Sequence, residues 1–254
     1  MRVVLTRPRP EARRWADTLV ARGHQVLLLP LIDIAPAPDA RAVQQAWSSL
    51  PDCQAAMFVS GNAVQGFFGT GNGRDWPSTT RAWSPGPGTT RALVAAGVPP
   101  GRIDAPPADA AQFDSEALWP VVAPQVQAGA RVLLVRGAGA DGRPAGRDWL
   151  AQQLMQAGTH VDTVAAYARR LPQFDDEALA QARRAAGDGS VWLFSSSEAI
   201  ANLRRLLPGQ DWSGARAIAT HERIAQAARG AGFGVVCPSR PAEADVVAAL
   251  ESFG

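Results

Sequence analysis

An α/β fold of two similar lobes, each a parallel sheet flanked by helices, is predicted by three observations. The first is a device used twice. Phe58-Val59-Ser60-Gly61-Asn62-Ala63-Val64 and Phe194-Ser195-Ser196-Ser197-Glu198-Ala199-Ile200 each read as an apolar strand, a Ser-bearing turn and a helix start. The second is register: Trp15, Leu19, Gly23 and Val26 match Leu150, Leu154, Gly158 and Val161 at an offset of 135. Gly97 matches Gly232 at the same offset, and Phe58 to Phe194 is 136. Register held over this span marks a duplication, hence two lobes with a cleft between them. The third is the alternation of short apolar runs with helix-period segments, which builds parallel sheets covered on both faces.

Arg2-Val3-Val4-Leu5 reads as a buried strand and Thr6-Arg7-Pro8 as a turn. A helix over 11–22 then carries Ala12, Trp15, Ala16 and Leu19 on one face. Gly23 supplies the left-handed residue that ends it, and Val26-Leu27-Leu28-Leu29 is the next buried strand. Arg131 to Val135, a helix around 149–156, Gly158 and a strand over 161–167 repeat this βαβ unit, with a longer Gly-rich turn over 137–146. Between them, strands over 55–59 and 190–194 each lead into a Ser turn. Arg81-Ala82-Trp83 passes through Ser84-Pro85-Gly86-Pro87-Gly88-Thr89 into a helix over 90–96. The strand over 215–219 passes through Thr220-His221 into a helix over 222–229. Segments 36–38 and 170–172 suit linkers, and 72–80 and 105–111 suit surface loops.

With 254 residues the chain is long enough for two small lobes. A formal charge of +2, from 25 basic and 23 acidic residues, is too balanced for a nucleic-acid binder. Every basic residue is Arg, which fits either codon bias or a use of forked donors towards carboxylates. Cys53 and Cys237 stand far apart, without a partner motif, and are expected to be buried small apolar residues. His24, His160 and His221 show no metal-ligand spacing, so no metal is expected. The chain enters a strand pattern at once, and the apolar run over 26–34 is too short for a bilayer, so a cytoplasmic protein without membrane contact is expected.

In open α/β sheets ligands bind at the carboxyl ends of strands, where turns and free helix N–H groups converge, and every motif above falls there. Ser60 with Asn62, and Ser195, Ser196 and Ser197, can cap the helix that follows or hold an anion. Gly86-Pro87-Gly88-Thr89 lacks the rest of a nucleotide fingerprint, but lets backbone approach a ligand and aims helix amides at negative charge. Arg7 and Arg136-Gly137 take corresponding places after the first strand of each βαβ unit, either as surface arginines or as carboxylate clamps. Tyr167 is the only tyrosine, and its counterpart at the 135 offset is Ile32. It can pack against the linker or donate a proton or hydrogen bond to a leaving oxygen.

Taken together, Leu5-Thr6-Arg7-Pro8, Phe58 to Val64, Gly86-Pro87-Gly88-Thr89, Val135-Arg136-Gly137, Tyr167-Ala168-Arg169 and Phe194-Ser195-Ser196-Ser197 resemble the uroporphyrinogen-III synthase family from end to end. Thr220-His221-Glu222-Arg223, where many members carry a Gly-rich turn, and the long loop over 137–146 depart from it. The resemblance implies a chain that crosses twice between lobes through a two-stranded linker, with residues 1–35 and 170–254 in one lobe, 38–167 in the other and the active site between. It also implies closure of the linear tetrapyrrole hydroxymethylbilane to uroporphyrinogen III, with loss of water and inversion of ring D, by a lyase that uses no cofactor. The ring A hydroxyl leaves to give an azafulvene, ring D attacks to form a spiro intermediate, and fragmentation with reclosure inverts that ring. On this reading Tyr167 assists hydroxide departure. Arg7, Ser60, Asn62, Gly86, Thr89, Arg136, Gly137, Ser195, Ser196, Ser197 and Thr220 hold the substrate's carboxylates. A monomer is expected, in transient contact with the deaminase that makes hydroxymethylbilane. A cytoplasmic two-lobed sensor of an anionic small molecule and a sugar-phosphate enzyme are the rival readings from the same turns.

Overall fold

The computed structural model describes residues 1–71, 73–139, 142–146 and 148–253. Asn72, which opens the loop expected over 72–80, and Ala140 and Asp141 of the Gly-rich turn lie outside the described residues. In chain order the elements are β1 (Arg2–Leu5), α1 (Arg9–Ala21), β2 (Gln25–Leu28), β3 (Asp33–Pro36), α2 (Ala40–Ser48), β4 (Ala55–Phe58), α3 (Gly61–Thr70) and β5 (Arg81–Trp83). There follow α4 (Pro87–Ala95), β6 (Ile103–Asp104), α5 (Ser115–Val122), β7 (Arg131–Ala138), β8 (Pro144–Ala145), α6 (Trp149–Gln156) and β9 (His160–Arg170). The chain ends with α7 (Asp176–Ala185), β10 (Val191–Phe194), α8 (Ser197–Leu206), β11 (Arg216–Ala219), α9 (Glu222–Gly230), β12 (Val235–Pro238) and α10 (Glu243–Glu251).

Contacts divide these elements into two compact units, Met1–Asp33 with Arg170–Gly254 and Ile34–Arg169. In the first, five parallel strands run in the order β12-β11-β10-β1-β2. Alternation along β10 sends Val191 and Leu193 to the face covered by Ala12, Trp15 and Leu19 of α1 and by Val246, Val247 and Leu250 of α10. Trp192 and Phe194 point the other way, into an aromatic cluster with Trp212 and Phe233 in which Trp212 and Phe233 stack at 5.1 Å. The Asn202 amide, buried on α8, donates to the Leu31 carbonyl at 2.8 Å and so ties down the segment that leaves the sheet after β2.

In the second unit the order is β3-β9-β7-β4-β5-β6, with β8 folded back antiparallel onto β7. Ala56, Phe58, Leu133, Val135 and Val164 face Val43 and Trp47 of α2, Val64 and Phe67 of α3, and Leu93 of α4. Ala55, Met57, Trp83, Val132 and Leu134 face Leu118 and Val122 of α5 and Leu150 and Leu154 of α6. Both faces are therefore covered, which is why these strands read as unbroken apolar runs.

The two sheets share one plan. Matching β1 with β7, β2 with β9, and β10, β11 and β12 with β4, β5 and β6 makes the second order a copy of the first. Each sheet thus combines two strands from one copy of the duplication with three from the other. The backbone keeps the same signature: Gly23 and Gly158 both sit at φ +82, and Gly97 and Gly232 at +93 and +96. All four lie in the left-handed region that favours glycine after a helix.

Four expectations change. The strand over 26–29 is the sheet's edge, with Leu28 exposed, and not a buried strand. Arg136 and Gly137 lie within β7 instead of after it, because pairing with β8 prolongs that strand. The helix expected over 90–96 begins three residues earlier, since Pro87 fits the first helical turn, where no N–H is required. Cys53 is buried as expected, but Cys237 is only half-buried.

Candidate functional site

Tyr167 is held by a local irregularity in β9. Arg136 pairs with Ala165 but Gly137 pairs with Tyr167, so Ala166 is an extra residue on β9. Strict alternation would send Ala166 and Tyr167 to opposite faces; the bulge leaves both in the cluster under α2, α3 and α4. From there the phenol reaches over β7 to the strand beyond. Its hydroxyl lies 3.2 Å from Ser60 Oγ, at the end of β4. That span crosses Gly137, where an added Cβ would stand 2.7 Å from Tyr167 Cζ and 3.0 Å from its hydroxyl. Any side chain there would lift the ring. Ser60 is also the N-cap of α3, its Oγ accepting the Ala63 N–H at 3.2 Å. Tyr167 is 4 % exposed, so this contact is made largely out of water.

Gly137→Ala is therefore expected to displace the ring, at a cost of about 1–3 kcal/mol of stability as an overpacked site. Because Tyr167 is the chain's only tyrosine, a sample labelled at the tyrosine Cζ gives one tyrosine NMR resonance, and that resonance should shift in the variant. An unchanged resonance would mean the methyl group is accommodated.

The other candidates of this unit divide by face. Asn62 lies in the first turn of α3, and Gly86, Pro87, Gly88 and Thr89 form the start of α4 beside it, with the position of a Gly61 Cβ only 3.9 Å from the Gly88 carbonyl. Ser84 Oγ organises that second start by donating to the Gly86 carbonyl at 2.8 Å, while Thr90 donates to Ser84 at 2.9 Å. Thr89 is buried. Arg136, next to Gly137 in the strand, points to the opposite face, where Nη1 meets Asp148 at 2.8 Å at the start of α6. Ser60, Asn62, Gly86, Thr89, Gly137 and Tyr167 thus form one group, and Arg136 stands apart from it.

In the first unit Ser196, not Ser195 or Ser197, caps α8, accepting the Glu198 N–H at 3.2 Å. Thr220 is adjacent, its N–H donating to the Phe194 carbonyl at 3.1 Å, and His221 Nδ1 caps α9 by accepting the Arg223 N–H. Capping by His221 was missed in the sequence, because imidazole is not among the favoured cap residues. Thr6 was also missed: its buried hydroxyl donates to the Leu193 carbonyl at 2.7 Å and joins the ends of β1 and β10. Arg7 pairs with Glu11 at 3.2 Å and lies 4.7 Å over the Trp15 ring. Arg7 and Arg136 share a design, an arginine held by an acid at the start of the next helix.

Burial raises the Cys53 thiol, which is thereby poorly suited to nucleophilic work. Among the described residues no group of His, Cys, Asp or Glu could hold a metal ion, and no helix is long and apolar enough to cross a membrane.

Two α/β units, each with polar turns at the carboxyl ends of its parallel strands and one with a fixed phenol, place the chain in the class of α/β folds whose ligands bind at strand ends. The model of the family described as Uroporphyrinogen-III synthase HemD matches residues 13–248, and the chain belongs to that family. It is 28% identical over 223 residues to the uroporphyrinogen-III synthase of Synechococcus elongatus, a match covering 83% of this chain and 77% of that protein. In fold it is similar to a mutant uroporphyrinogen III synthase from the extremely thermophilic bacterium Thermus thermophilus, with a TM-score of 0.56 at 17% identity over 100% of this chain and 98% of that one. A Helicobacter pylori uroporphyrinogen-III synthetase gives 0.57 at 14% identity, with 99% and 100% covered. The activity is that of the family, a lyase of tetrapyrrole biosynthesis.

Proposed function

We propose that this chain closes hydroxymethylbilane to uroporphyrinogen III with Tyr167 as the donor to the departing ring A hydroxyl. The observation that carries this reading is the phenol's confinement: in a member of this family, the only tyrosine is fixed over Gly137 against Ser60 at the carboxyl end of a parallel sheet. Proton or hydrogen-bond donation to the leaving oxygen contributes about 10²–10⁴-fold in general acid catalysis. The loss of water and the carbon rearrangement are redox-neutral overall, so the reading requires no electron carrier.

Selectivity is assigned to conformation. The substrate cyclises unaided to the uninverted type I isomer, so the protein must favour the spiro geometry by holding both ends of a flexible chain. Asn62, Gly86, Thr89 and the α3 and α4 amides would take carboxylates on one unit. Arg7, Ser195, Ser196, Ser197 and Thr220 would take them on the other. Arg136, engaged with Asp148 on the far face of its sheet, would exchange that carboxylate for one of the substrate's. The same reading includes a cleft between the units that closes on binding, a monomer working in the cytoplasm, and transient contact with the deaminase that supplies the substrate.

The test is a product-isomer assay. Freshly generated hydroxymethylbilane, incubated with the protein and resolved by isomer, should give predominantly type III at a rate well above the unaided reaction. Type I alone, at the no-enzyme rate, would overturn the reading.

A further inference from the structure

We propose that Ser60 is a positioning residue that acts through Tyr167, donating its hydroxyl proton to the phenolic oxygen so that the Tyr167 proton is directed at the substrate. This deepens the proposed function and rests on it, replacing the role of Ser60 as a carboxylate ligand.

The valences of Ser60 Oγ support the assignment. One lone pair is occupied on the helix side, where Oγ accepts the Ala63 N–H at 3.2 Å. The phenolic oxygen stands 3.2 Å away on the other side, within reach of the hydroxyl rotor, and geometry alone permits either oxygen to donate. The chemistry selects the direction. A phenol that donates to Ser60 spends on the protein the proton it must give to the leaving group. A phenol that accepts from Ser60 keeps that proton and gains a donor for the negative charge that develops on its oxygen. The cap thus becomes an oxyanion donor at no added residue.

The arrangement is rigid at both ends. On the strand side Gly137 admits the ring. On the helix side α3 lies against the bulge itself, since an added Cβ at Gly66 would stand 2.1 Å from the Ala166 carbonyl oxygen. Ser60 and Tyr167 are therefore carried by two elements in direct backbone contact, and their separation is fixed by packing and not by two independent loops.

The ring A C–O bond breaks, its electron pair leaves with oxygen, and that oxygen takes the Tyr167 proton and departs as water. The pyrrole nitrogen's electrons then form the azafulvene cation, while the phenolate accepts from Ser60. After ring D has inverted and closed, the proton lost as the pyrrole regains aromaticity returns to the phenolate.

A double-mutant cycle with Tyr167→Phe tests this. Ser60→Ala should lower kcat about tenfold, the value of one neutral hydrogen bond, with KM unchanged within about twofold. In the Tyr167→Phe background the same change should have almost no effect. Ser60→Thr, which keeps both cap and donor, should restore turnover. Ser60→Asp, which keeps the cap but offers an acceptor and a negative charge in place of the donor, should be at least as slow as Ser60→Ala while retaining the parent's melting temperature. The single labelled tyrosine resonance should move in Ser60→Ala and Ser60→Asp but not in Ser60→Thr. A rise in KM with unchanged kcat, or additive effects of Ser60→Ala and Tyr167→Phe, would overturn the proposal and leave the proposed function standing. A wild-type protein that yields only type I product fails at the earlier reading instead.

Discussion

Tyr167→Phe is expected to lower kcat by about 10²–10⁴-fold while leaving the fold and KM close to those of the parent. The phenyl ring keeps the packing over Gly137 and loses only the hydroxyl, whose partner among the described residues is Ser60. Ser60 keeps its cap bond to Ala63, so the stability cost should stay near that of one hydrogen bond, about 0.5–1.5 kcal/mol. Steady-state kinetics on freshly generated hydroxymethylbilane, with products resolved by isomer, separates donation from support. A pure leaving-group role slows turnover but leaves type III as the product, since isomer choice is assigned to the grip on the carboxylates. Turnover at the wild-type rate would make Tyr167 a packing residue. A slow variant yielding mostly type I would mean that the phenol also helps set the spiro geometry.

Much of the architecture is legible because it rests on local rules. The strands announce themselves as apolar runs, the helix ends as glycines, and the duplication as a fixed offset whose glycines later share one backbone conformation. What stays hidden is what depends on neighbours. Val26-Leu27-Leu28-Leu29 is as apolar as a central strand, yet sheet order leaves it at an edge with Leu28 exposed. Nothing in Ala165-Ala166-Tyr167-Ala168 signals a bulge, because small residues are compatible with either face and the extra residue is defined only against the register of β7. The site follows the same division. Ser60 and Ser196 can be read as caps from their positions before helices. That Ser60 meets Tyr167, 107 residues away, is a consequence of strand order, and that Arg136 faces the opposite side of the sheet from Tyr167 is a consequence of the bulge.

Gly66→Ala should be the most damaging single methyl group in the Tyr167-bearing unit. At most helical positions this exchange is favourable by roughly 0.5–1 kcal/mol, through the smaller backbone entropy lost on folding. Here the new Cβ would lie 2.1 Å from the Ala166 carbonyl oxygen and 2.9 Å from its carbonyl carbon, and both are backbone atoms inside a paired strand that cannot rotate away. Relief requires α3 to lift from β9, which loosens Phe67 and Val64 from the core they share with Phe58 and Val164. A loss of about 3 kcal/mol or more follows, at the upper end of overpacking costs, outweighing the helix-propensity gain severalfold. The displacement also carries Ser60 away from Tyr167, since both ends of their hydrogen bond move with the elements that Gly66 holds together. Gly69, on the same helix, has nothing within 4 Å of an added Cβ and is the matched control. Urea unfolding of Gly66→Ala and Gly69→Ala distinguishes the two effects: the control should match or exceed the parent's midpoint and the Gly66 variant should fall well below it. Equal midpoints would show that α3 can back off the strand without cost, and the fixed Ser60–Tyr167 separation would lose its structural basis.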